Sequence, residues 1–124
     1  CKAHDILPIA FSPMGSPCRP ERDTEEGDVV TFELPELVEI AKAHHCHPAL
    51  ICMKWAVQRG HVPIPFSIYE NEYIGNLKTV TEDFLTDEEM ETLRRADKNT
   101  RLIKGKVFLW EGAKDWRDIW DRED

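Results

Sequence analysis

Two stretches of this chain place small and polar residues at the end of an apolar run, a position from which a fold can present its backbone to a ligand. The first is Ile9-Ala10-Phe11-Ser12-Pro13-Met14-Gly15-Ser16-Pro17. It reads as a short buried strand that runs into a Pro/Gly/Ser turn. Such a turn can expose a row of N–H groups, and Gly15 lets another molecule approach the backbone closely. Ser-Pro and Gly-Ser are also common turn dipeptides, so an ordinary connection fits the same residues. The second stretch is Val62-Pro63-Ile64-Pro65-Phe66-Ser67, followed by Glu72 and Asn76. It has the same strand-then-loop character.

Other reactive residue types are arranged less productively. His44-His45-Cys46-His47 gathers metal-ligand chemistry, but on a helix these side chains fan around the axis, and no second ligand pair stands at finger spacing. The cluster reads as the polar end of a helix, where a protonated His suits the macrodipole. Cys1, Cys18, Cys46 and Cys52 show no Cys-x-x-Cys spacing and read as reduced thiols of a cytosolic protein. Asp87, Glu88, Glu89 and Glu91 read as the acidic N-terminal turn and solvated face of a helix. No Gly-x-Gly-x-x-Gly, P-loop or Gly-x-Ser-x-Gly occurs.

The elements that must carry the two loops can be placed from pattern. Ile6 to Phe11 is a strand. Pro17 to Thr31 is a polar loop with charges of both signs, long enough to mark either a functional loop or a solvated insertion. Leu34, Leu37, Val38 and Ala41 fall at helical spacing and predict a helix from Leu34 to His45. Pro48 opens a second helix that runs to Arg59 and stops at Gly60. Val62 to Ile64 is the next strand. Strand, two helices and strand make a crossover with parallel strands. A short helix over Tyr69 to Asn76 follows. Thr86 then caps a further helix, with Glu89 completing a capping box and Leu85 and Met90 as a hydrophobic staple. Met90, Leu93 and Ala96 form its buried stripe.

Composition sets the outer limits. The 124 residues are 41% hydrophobic with a net charge of −8. An acidic surface repels nucleic acid and anionic membrane, so neither is expected as a partner. No apolar run reaches membrane-spanning length. The first residue is Cys1 rather than Met, as expected of a processed chain or a fragment. Two strands and four helices cannot close a barrel, so open strand edges favour self-association.

Four segments in order resemble the aldo-keto reductases. Phe11-Ser12-Pro13-Met14-Gly15-Ser16 resembles that family's seventh strand and following loop. Leu50 to Gly60, ending Gln58-Arg59-Gly60, resembles the seventh helix. Val62 to Ser67 resembles the eighth strand and its Ile-Pro-Lys-Ser loop. Asn76 with Phe84-Leu85-Thr86-Asp87-Glu88-Glu89-Met90 resembles the eighth helix region. The resemblance implies an α/β fold, the C-terminal portion of a (β/α)₈ TIM barrel that is incomplete on its own, with residues 1–124 as a single segment. It implies a cytoplasmic oxidoreductase using NADP or NAD to reduce aldehyde or sugar-type carbonyls.

The same resemblance assigns roles. Phe11 takes the place of the aromatic that stacks on the nicotinamide. Ser12, Met14, Gly15 and Ser16 match positions lining the ribose and pyrophosphate. The Pro17–Thr31 loop corresponds to one that folds over the cofactor. Ser67 and Asn76 match a phosphate-side hydroxyl and an adenine-contacting amide. Phe66 stands where the family has Lys, and Glu72 where an Arg binds the 2′-phosphate, which weakens any preference for NADPH. A carboxylate near a ribose suits the free 2′-hydroxyl of NAD. Trp110 falls in a tail that would wall the substrate pocket, with Trp116 and Trp120 packing outside. The family's catalytic Tyr, Lys, Asp and His come from its N-terminal half, so no catalytic residue is assigned here, and Tyr69 and Tyr73 receive no such role. The chain alone is expected to be inactive. The alternative is a non-enzymatic remnant or interaction module that retains barrel elements.

Overall fold

Both apolar runs form strands, and they lie side by side. A computed structural model describes residues 1–114 and residue 118. Strand β1 spans Ile9–Phe11 and β2 spans Val62–Ile64. They pair in parallel, with Ile9 opposite Val62, Ala10 opposite Pro63 and Phe11 opposite Ile64. The Val62 N–H donates to the Pro8 carbonyl at 2.9 Å just before the ladder. β1 is shorter than the expected Ile6–Phe11. Pro8 has no N–H to give, and β2 offers only a short partner.

Parallel strands need a long crossover. Here it contains helix α1, Pro35–Ala43, and helix α2, Pro48–Gln58. Each opens with Pro at its first turn, where a missing N–H leaves no intrahelical bond unmade. That preference explains why α1 begins after Leu34, which caps it, instead of at Leu34. Gly60, at φ +77°, turns the chain out of α2 and into β2. Helix α3 spans Glu70–Lys78 and runs past the expected end at Asn76. Helix α4 spans Asp87–Arg95. Its capping box forms as expected: the Glu89 N–H donates to Thr86 Oγ1 at 3.2 Å, and the Thr86 N–H to Glu89 Oε2 at 2.8 Å.

The core lies among the helices. Leu37, Ile40 and Ala41 of α1 meet Ile51 and Cys52 of α2, with Leu85 and Leu93 completing the cluster and Met90 packed against it. Polar contacts fasten the segment before α4. Gln58 holds the Leu85 backbone from both sides, donating to its carbonyl at 2.9 Å and accepting its N–H at 2.8 Å. Lys54 is 4% exposed. Its ammonium donates to the Glu82 and Asp83 carbonyls and lies 3.5 Å from the Asp83 carboxylate. His44, at the C-terminal end of α1, reaches Asp83 through Nδ1 at 2.7 Å and Glu89 through Nε2 at 2.9 Å. Burial pushes the His44 pKa down, but the hydrogen bonds to Asp83 and Glu89 outweigh it and leave the imidazole above its ordinary value.

The sheet contrasts with this core. In paired parallel strands, alternate residues share a face. Ile9, Phe11, Val62 and Ile64 therefore form one apolar face, and all of them are exposed. The expectation of a buried first strand is corrected here: β1 is covered on one face only. Among the described residues the sheet has two strands, with no third on either edge. The architecture is an open α/β unit, consistent with part of a barrel. None of the described helices is long and apolar enough to cross a membrane.

Candidate functional site

Parallel pairing in register brings the two candidate loops to one end of the sheet. The chain leaves β1 at Phe11 and β2 at Ile64, and these residues are opposite each other. The Phe11 ring is 68% exposed on the open face. Beyond it the backbone is unusual. Ser12, Gly15 and Ser16 have φ of +48°, +74° and +49°. Left-handed non-glycine residues are uncommon and concentrate where the surrounding structure holds them for a purpose. The Ser12 and Ser16 hydroxyls make no hydrogen bond among the described residues. The Gly15 N–H, in contrast, is used within the turn, donating to the Ser12 carbonyl at 2.9 Å. The expected row of open N–H groups is therefore interrupted at Gly15. Met14 packs its side chain against the helical core.

Gly15 is required for a steric reason as well. A Cβ there would lie 2.7 Å from both Leu102 Cδ1 and Thr31 Oγ1. The turn is thus shut in between the end of its own loop and a segment far along the chain.

The second loop is laid out differently from its sequence expectation. Phe66 is 84% exposed and takes no part in the core. Ser67 Oγ donates to Glu72 Oε2 at 2.5 Å and accepts the Tyr69 N–H at 3.2 Å. The hydroxyl expected to meet a phosphate is engaged at the start of α3. Glu72 does not simply point into solvent, because its carboxylate has a donor already. Asn76 stands one turn after Glu72, with its side-chain amide unpaired among the described residues. Gly75 faces the other way: a Cβ there would lie 3.4 Å from Leu50 Cδ1, so α3 closes on α2 at that point.

The loop from Pro17 to Thr31 is not a loose insertion. Arg19, whose side chain is 7% exposed, donates to the Gly15 carbonyl at 2.6 Å and to Asp28 Oδ2 at 3.2 Å. Lys104 donates to the other oxygen of Asp28 at 3.0 Å and lies 3.2 Å from Glu25, which also pairs with Lys106 at 3.0 Å. The Lys104 hydrogen bond, followed by the Glu25 N–H, holds the Asp28 carboxyl below its ordinary value. Hydrogen bonds from Lys106 and Lys104 do the same for Glu25. Sequence reasoning missed the ties to Lys104 and Lys106, because those pairs stand 76 to 81 positions apart.

Other singled-out residues fall into structural places. His44 bridges Asp83 and Glu89, whereas His47 caps α2, its Nδ1 accepting the Ala49 N–H at 3.1 Å. Cys46 packs against the core, so the three do not converge. The four thiols are free, and burial pushes that of Cys52 up to about 12. Trp110 is 62% exposed, and its indole N–H donates to the Asp118 carbonyl at 3.2 Å. Trp116 and Trp120 lie outside the described residues. A cavity of about 320 Å³ opens between the helices, lined by Leu34, Leu37, Trp55, Arg59, Leu93 and Leu102 among others. None of the residues expected to hold a cofactor lines it.

The sequence profile of the Aldo/keto reductase family matches residues 1–98. The chain is 34% identical to Aldo-keto reductase family 1 member A1-A of Danio rerio, over 95% of this chain and 35% of that protein. It is 34% identical to Estradiol 17 beta-dehydrogenase 5 of Mus musculus, over 87% of this chain and 33% of that protein. It is 30% identical to an aldo/keto reductase of Synechocystis, over 96% of this chain and 36% of that protein. The chain thus spans about a third of the length of these curated relatives. With the family's profile matching residues 1–98 and relatives matching most of its length, the chain belongs to the aldo/keto reductase family.

Proposed function

We propose that this chain is the cofactor-holding part of an NAD(P)H-dependent aldo-keto reductase, running from the seventh strand of a (β/α)₈ barrel to the C-terminal tail. The observation that carries this reading is the strand-end arrangement. Two parallel strands in register send their loops off the same end, beside an open apolar face. In barrels of this class the working end is the C-terminal end of the strands. Ile9, Phe11, Val62 and Ile64 then face the barrel interior, which further strands would fill.

The residues present fit the nicotinamide end of such a cofactor. The bound cofactor supplies the hydride, and the protein binds and orients it. Phe11 offers a bare aromatic face for stacking. The Ser12 and Ser16 hydroxyls, without a partner among the described residues, offer donors for ribose or pyrophosphate oxygens, and Gly15 keeps the turn free of a side chain. Asn76 offers an amide, unpaired among the described residues, for the adenine. The adenosine end departs from a 2′-phosphate site, since Phe66 and Glu72 stand where two cations would be. The Ser67–Glu72 hydrogen bond keeps a carboxylate in that loop, which disfavours NADPH relative to NADH. The proton donor for carbonyl reduction is supplied from outside this segment. The whole protein reduces aldehyde or sugar-type carbonyls in the cytoplasm.

The test incubates the chain with NADPH or NADH and a panel of aldehydes. No turnover is expected, while cofactor fluorescence should report binding that weakens on Phe11→Ala. Turnover that vanishes on Tyr69→Phe or Tyr73→Phe would overturn the assignment, as would binding indifferent to Phe11.

A further inference from the structure

The segment from Leu102 to Lys106 touches the loop that leaves β1 at three places. Leu102 closes over the Gly15 turn, leaving no room for a Cβ. Lys104 reaches Asp28, and both side chains are largely buried, at 11% and 6% exposure. Lys106 reaches Glu25 nearer the surface. On the loop side, Asp28 passes the connection on. One of its oxygens takes Lys104, and the other takes both Arg19 and the Glu25 N–H. Arg19 in turn holds the Gly15 carbonyl. An unbroken line of charge-assisted hydrogen bonds therefore runs from the C-terminal segment to the strand-end turn.

We propose that Lys104 is a positioning residue for the strand-end loop: through Asp28 and Arg19 it makes the loop from Pro17 to Thr31 and the segment from Leu102 to Lys106 open and close as one gate. Two features favour coupling over a mere surface contact. The central pair is shielded from water, so salt screens it less than an exposed pair. Without Lys104, Asp28 keeps only Arg19 and the Glu25 N–H of its own loop, and without Asp28, Lys104 keeps only the more exposed Glu25, so what either loss removes is the shielded tie between the two segments. The gate's role over a nicotinamide cofactor rests on the function proposed above, but the coupling itself does not.

Hydrogen exchange on the full chain, resolved by peptide, tests it. Lys104→Met should speed exchange in the peptides covering both Pro17–Asp28 and Leu102–Phe108, by roughly five- to thirtyfold in each. Asp28→Asn should give the same paired pattern, and Lys104→Arg should restore most of the protection. Amides of α2 and α4 should stay at wild-type rates, which separates gate opening from general unfolding. If Lys104→Met releases only its own segment, or if Lys104→Arg behaves like Lys104→Met, the gate is overturned. Adding NADPH or NADH to the wild-type chain should protect both segments in parallel. Paired release in the variants without any cofactor-induced protection would support the gate and count against the cofactor reading alone.

Discussion

Gly15→Ala should destabilise the chain by more than glycine's backbone freedom alone accounts for. At φ +74° an L side chain sits in the left-handed region, a cost of about 1–2 kcal/mol. The new Cβ would also fall 2.7 Å from Leu102 Cδ1 and from Thr31 Oγ1. Thr31 begins a short helical turn that leads into α1, and Leu102 is tied down by neighbours that pair with the loop. Neither can give way freely, so overpacking adds about 1–3 kcal/mol. The control is Gly27→Ala. Gly27 has φ +87°, but a Cβ there meets nothing within 4 Å. It should lose only the backbone share. Urea unfolding followed by tryptophan fluorescence, at one fixed protein concentration, separates the two. With a slope of about 1–3 kcal/mol per molar, the midpoints of the two variants should differ by roughly 1 M. Gly15→Ala combined with Leu102→Ala should recover part of the difference. Equal losses for the two single variants would show that the Leu102 segment does not rest on the Gly15 turn, and would remove one of the contacts on which the coupled gate stands.

Three further outcomes follow from the same geometry. Lys54→Met keeps the buried stem but leaves the Glu82 and Asp83 carbonyls without their donor, so it should destabilise the chain by about 1–3 kcal/mol in the same urea assay. Stability should plateau between about pH 4.3 and pH 6.5. The raised His44 pKa contributes stability that is full below its unfolded value and lost as pH rises through the folded one. The lowered Asp83 and Glu89 pKa values contribute stability that is present above their unfolded values and lost as pH falls through the folded ones. His44→Gln should flatten the alkaline side of that profile, and an unchanged profile would mean that the bridge is not formed. Glu72→Arg should shift the ratio of NADPH to NADH dissociation constants toward NADPH by about 1–3 kcal/mol, and high salt should erode the gain. If the unmodified protein already binds NADPH far more tightly, another cation meets the 2′-phosphate.

The elements of the fold were legible where the signal was local. Pro48, Gly60, and the Thr86 and Glu89 pair mark helix ends by chemistry confined to one turn, and each end falls where that chemistry puts it. Errors arose where a neighbour in sequence decided the matter differently. Pro35 took the first position of α1 from Leu34, and Pro8 cut β1 short. Hydrophobicity predicts a buried Ile9-Ala10-Phe11, because it reports what a strand wants to cover. It does not say whether the covering partner lies within these residues. Ile9 and Phe11 at 66% and 68% exposure are the physical trace of that difference.

The candidate site was legible in its positions but not in its bonds. Sequence order placed Phe11, Gly15 and Ser67 near strand ends, and the parallel register brings those ends together, while Asn76 stands further on, in α3. What each group does there depends on its neighbours in space. The resemblance turns Ser67 toward a phosphate, yet Glu72 lies within reach and accepts the hydroxyl's hydrogen bond. The resemblance points both residues at a ligand, whereas their first partner is each other. A phosphate approaching this loop must displace that bond and then face the carboxylate it releases. Arg19, Asp28 and Lys104 gave no sequence signal, because salt bridges have no periodicity and a loop of mixed charge looks alike whether solvated or folded. Only when the chain returns to the Gly15 turn do these charges acquire partners. At that point the loop ceases to be a solvated insertion and is fastened to the strand-end turn.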